Sequence, residues 1–153
     1  MIKKVTVKYF KQFKEQTFDL REHVILAGPN NSGKSTLLQA IAVWDLAKRQ
    51  WSLRREGSKA KERTGVPITR KDFTALPLRE MSLLWTDTLT GLQKNERNHG
   101  QVPGAPRILS ITLSGDGTAG DWESSFEFRY TSTEQITVKP GGEAATTAAE
   151  VAK

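Results

Sequence analysis

Between positions 28 and 35 the chain reads Gly28-Pro29-Asn30-Asn31-Ser32-Gly33-Lys34-Ser35, a complete G-x-x-x-x-G-K-[ST] loop. Each fixed position answers a demand of a bound triphosphate. Gly28 and Gly33 let the backbone wrap around an anion with its N–H groups turned inward. Lys34 is placed to set a positive charge against the β- and γ-phosphates, and Ser35 offers a hydroxyl to Mg²⁺. Thr36 supplies a further N–H and hydroxyl just beyond the loop. A glycine-rich turn capped by Ser32 is the plainer alternative, but it does not account for Lys34-Ser35 following an apolar run.

Such a loop works only between a strand and a helix. Val24-Ile25-Leu26-Ala27 is a short continuous apolar run that reads as a strand buried on both faces. On the other side Leu37, Ile41, Trp44 and Trp51 fall at i, i+4, i+7 and i+14, with Leu38 and Ala42 widening the stripe. That spacing predicts an amphipathic helix from near Gly33 to somewhere near Arg49 or Arg54. Its N-terminus presents unpaired N–H groups and the positive end of the helix dipole, the place for a phosphate.

The 153-residue chain is of ordinary single-domain size. It has no cysteine, which excludes disulfides and zinc–thiolate sites and fits a reducing compartment. No apolar run approaches a membrane span, and the first residues, Met1 to Val7, alternate like a strand rather than forming a leader core. The expectation is a cytoplasmic protein. His23 and His99 stand far apart without other candidate ligands. The net charge of +6 is uneven: Lys48, Arg49, Arg54, Arg55, Lys59, Lys61, Arg63, Arg70 and Lys71 face only Glu56 and Glu62 within 48–71. Clustered bases of this kind bind nucleic-acid phosphates non-specifically, or form a solvated basic loop.

Further along, Val5, Val7 and Tyr9 alternate with Lys4, Thr6 and Lys8, predicting a strand over 2–10. Phe18 and Leu20 suggest a second over about 16–20. Residues 55–71, with Gly57, Ser58, Gly65 and Pro67, read as an exposed loop, and 72–96 as short helical pieces interrupted at Pro77. A second loop is expected over 97–106. From Leu109 the period becomes two. Leu109, Ile111 and Leu113, then Trp122 to Tyr130 after a turn-rich Gly115–Asp121, then Ile136 and Val138 predict an antiparallel meander. The Ala/Thr-rich end, 141–153, lacks apolar periodicity and reads as a disordered tail or the edge of something longer.

The first 44 residues resemble the N-terminus of ABC-type, AAA-family ATPases of the SMC/RecF/OLD (overcoming lysogenization defect) group. The resemblance lies in the strand Ile2–Phe13 with its aromatic-rich turn, then Phe18-Asp19-Leu20, Val24–Ala27, and the G-x-N-x-x-G-K-S loop running on through Thr36-Leu37-Leu38-Gln39-Ala40-Ile41. It implies an α/β fold, a P-loop NTPase lobe with mixed and antiparallel strands around the P-loop helix, occupying residues 1–140. It also implies ATP and Mg²⁺ as ligands, with nucleotide contacts from Asn30, Asn31, Gly33, Lys34, Ser35 and Thr36. Together with Gly28 and Ser32 these are the candidate ATP-binding residues, Ser35 being the Mg²⁺ ligand.

The chain departs from the family after that point. No apolar run ends in Asp-Glu, the Walker B pair that holds Mg²⁺ and activates water. Leu113-Ser114-Gly115-Asp116-Gly117 imitates the family's signature loop, but its setting between alternating strands reads as a turn. Gln93, Gln101 and Gln135 are all candidates for the family's Q-loop glutamine. The expectation is the N-terminal piece of a longer ATPase that binds Mg-ATP, hydrolyses it negligibly alone and stays monomeric, with DNA as a possible partner of 48–71. Two alternatives stand beside it: a non-enzymatic basic nucleic-acid module with a vestigial loop, and a P-loop small-molecule kinase. A GTPase would need an Asn-Lys-x-Asp motif, which is lacking.

Overall fold

In the computed structural model, the residues described are 1–20, 34–55, 65–74, 76–91 and 105–141. They form a six-stranded sheet with one long helix on one face. The strands are β1 (Ile2–Phe10), β2 (Phe13–Asp19), β3 (Val66–Thr69), β4 (Leu109–Gly117), β5 (Gly120–Tyr130) and β6 (Gln135–Pro140). The helix, α1, runs Lys34–Arg55. The sheet order is β2-β1-β4-β5-β6-β3, and every pairing between these strands is antiparallel. The mixed sheet expected from the resemblance is therefore not the arrangement among the described residues. The run Val24–Ala27, expected as a buried strand leading into the loop, lies outside them.

Alternation sets the sheet's two faces. Val5, Val7, Leu109, Ile111, Leu113, Phe126, Phe128, Ile136 and Val138 are buried, almost all without exposed surface, and form the core with α1. The other face carries hydroxyls and charges that pair across strands. Thr6 meets Thr17 at 3.1 Å and Thr112 donates to Ser125 at 2.8 Å. Such an outer face needs no cover, which is why an antiparallel sheet can leave it to solvent. The β4–β5 hairpin closes with Gly117 opposite Gly120. Gly120 sits at φ +110°, a conformation that side chains rarely adopt, so the tight turn depends on glycine there.

Several elements differ from the sequence reading. Residues 66–69, expected within the exposed loop 55–71, are strand β3, and α1 extends to Arg55. Four residues containing Pro67 do not announce a strand. β3 exists because Val66 and Ile68 pair with Val138 and Ile136 of β6 and become buried. β2 begins at Phe13, earlier than expected, because Phe10 and Phe13 pair across the turn. In β1 the alternation breaks at Tyr9, whose φ of 56° shifts the phase so that Phe10, not Tyr9, enters the core. The Leu113–Gly117 run, read as a turn, is strand, and the hairpin turn follows it.

The buried stripe of α1 is Leu37, Ala40, Val43, Trp44, Ala47 and Trp51. Leu38, expected inside, is 60% exposed, and Ile41 and Ala42 are half-buried. The stripe is rotated toward the alanines, which let the helix backbone approach the sheet. Trp44 stacks on Trp122 at 6.3 Å and donates its Nε1–H to the Ser124 carbonyl at 3.2 Å. The short helical pieces expected over 72–96 are 3-10 turns at Met81–Leu84 and Thr86–Thr88, with Met81, Leu84 and Trp85 in the core.

Candidate nucleotide site

Helix α1 is described from Lys34 onward. Lys34, Ser35 and Thr36, the last residues of the motif and the one after it, therefore form the first described turn of a helix anchored on the sheet. Ser35 is exposed, and it is the residue whose hydroxyl can serve Mg²⁺. No acidic residue stands in that first turn, so no internal carboxylate competes with a phosphate for the dipole's positive end. Gly28, Asn30, Asn31, Ser32 and Gly33 lie outside the described residues, as do His23 and His99. Thr36 is only 7% exposed, and its hydroxyl donates to Oε1 of Gln12 at 2.8 Å.

Gln12 belongs to the β1–β2 turn, which the sequence marked only as aromatic-rich. The structure shows that this turn is held from both sides. The Lys11 N–H donates to the Leu84 carbonyl at 2.9 Å, and the Thr86 hydroxyl donates to the Phe13 carbonyl at 3.1 Å. Phe10 bridges Trp85. Lys11 adopts φ 50°, and burial of its amine lowers its pKa from the usual lysine value. Arg107 lies beneath this region, 1% exposed, with its guanidinium 4.5 Å from the centre of the Tyr9 ring. It donates to the Thr86 carbonyl at 3.3 Å, while its own carbonyl accepts from the Trp85 indole at 2.7 Å. Gln12, Thr86 and Arg107 carry no sequence signal, because each acquires its role from residues at least twenty positions away.

The described basic residues of 48–71 stand on α1 and on the turn after β3. Lys48 lies 5.6 Å from the centre of the Trp44 ring, and Arg49 pairs with Asp45 one turn earlier at 3.0 Å. Arg70 pairs with Glu134 at 2.9 Å and also donates to the Leu78 carbonyl at 3.1 Å. Arg54 and Lys71 are exposed. Lys59, Lys61 and Arg63 lie outside the described residues, as does the side chain of Arg55. Of the Q-loop candidates, Gln135 opens β6, while Gln93 and Gln101 lie outside.

The family model of the AAA ATPase domain matches residues 1–63. That span holds β1, β2, the phosphate-loop motif and α1, the stretch on which the resemblance to ABC-type ATPases rests. Over that stretch the chain is similar to an AAA ATPase domain. A solved structure described under "Structural biochemistry of ATP-driven dimerization and DNA stimulated activation of SMC ATPases" aligns over 97% of this chain and 79% of its own, at 18% identity and a TM-score of 0.46. No curated protein matches. No described helix is long and apolar enough to cross a membrane.

Proposed function

We propose that the chain is the ATP-binding, Walker A portion of an SMC/RecF/OLD-like ATPase, binding Mg-ATP at Gly28–Thr36 and turning it over negligibly by itself. The observation that supports this reading is that Lys34-Ser35-Thr36 are helical, at the N-terminal end of the described part of α1, in a turn free of acids. Phosphoryl transfer rests on positioning and charge stabilisation. The motif supplies a ground-state cradle in which Lys34 neutralises phosphate charge and Ser35 serves Mg²⁺. The sequence supplies no Walker B Asp-Glu pair to complete the metal shell and activate water. Lys34→Ala is expected to abolish ATP binding in calorimetry, and unchanged affinity would refute the site. Vigorous Mg²⁺-dependent hydrolysis by the purified chain would refute the incomplete-site reading.

A nucleic-acid module is the second reading, favoured by exposed Arg54 and Lys71. It would show DNA affinity that falls steeply with salt and is indifferent to ATP and to Lys34→Ala. The ion pairs of Arg49 and Arg70 with Asp45 and Glu134 weigh against it, since these cations already have partners.

A further inference from the structure

We infer that Gln12 is a positioning residue for the phosphate site: its side-chain amide holds the Thr36 hydroxyl proton, and nucleotide must take that proton from it. The inference rests on the Mg-ATP reading above. A threonine hydroxyl has one proton to donate, and a phosphate oxygen can only accept. In this structure the proton goes to Gln12 Oε1 at 2.8 Å. Gln12 and a phosphate therefore compete for one donor on the first turn of α1.

The turn backbone is poorly placed to withdraw. Lys11 is tied to Leu84, Phe13 to Thr86, and Phe10 to Trp85. The exchange then falls to the Gln12 side chain, which is exposed and can rotate. Turning its terminal amide presents Nε2–H to a lone pair of Thr36 Oγ1, and the threonine O–H is released toward a phosphate oxygen. The same two side chains serve both states. With the threonine proton on Gln12 the amide accepts, and with that proton on a phosphate the amide donates or swings into solvent.

The test is the affinity of the whole chain for Mg-ATP by calorimetry, in wild type, Gln12→Met, Thr36→Val, Thr36→Ser and the two double variants. Methionine keeps the length of glutamine but offers no strong acceptor. Gln12→Met is expected to tighten binding by about threefold or more, the worth of one modest hydrogen bond. The gain should survive in the Thr36→Ser background, which keeps a hydroxyl, and vanish with Thr36→Val. No tightening, or the same tightening with Thr36→Val, overturns the role of Gln12 while leaving the site intact. Failure of the wild-type chain to bind Mg-ATP removes the functional reading and this inference together.

Discussion

Asp116 shows how a solvent-facing residue takes on a structural duty. Its carboxylate pairs with Lys3 at 3.1 Å and with the Met1 amino group at 3.2 Å. Hydrogen bonds from Lys3, and then from that amino group, lower its pKa from the ordinary carboxylate value. A group held lower in the folded chain stabilises it fully above the unfolded pKa of about 4, and loses that contribution as pH falls through the folded value. Asp116→Asn is therefore expected to lower the melting temperature at neutral pH, with the gap to wild type closing in strong acid. Thermal melts across that range check it, and a gap that stays constant with pH would show that the charge is not the cause. At this scale the sequence was partly legible. Lys34, Ser35 and Thr36 stand out as candidates by type and spacing, whereas Gln12, Arg107 and Asp116 do not, because their partners are distant in the chain.

Among elements, α1 has the most to do, since it carries the motif's end at one terminus and packs Trp44 and Trp51 into the core along its length. Ala40 and Ala47, 1% and 0% exposed, set how near it lies to the sheet. Ala47→Leu is expected to destabilise by about 1–3 kcal/mol through overpacking. The same change at Ala42 is expected to cost less because Ala42 is only half-buried. Urea melts of the two variants check this, and equal losses would place the close approach elsewhere. Periodicity found this helix and left its end near Arg49 or Arg54, the later of which adjoins the observed Arg55, but it placed Leu38 in the stripe, because large apolar residues dominate a pattern that small ones complete. β1 and the β4–β5–β6 meander were legible for the same reason, while β3 was hidden by its brevity and its proline.

The whole molecule sums to +6, but the described bases within 48–71 are divided between α1 and the turn after β3, and two of them already face acids. With no signature loop in its sequence to complete a partner's site, the chain is expected to stay monomeric when given a non-hydrolysable ATP analogue. Light scattering would check this, and a nucleotide-dependent shift to dimer mass would overturn it. By itself the sequence determined the phosphate-loop motif, the helix that follows it and the alternating strands, because these depend on residue type and on spacing within one element. Only the tertiary structure decided that the described strands join in one antiparallel sheet, that 66–69 is a strand and that Gln12 meets Thr36. Those depend on pairing between segments tens of residues apart, which no local period records.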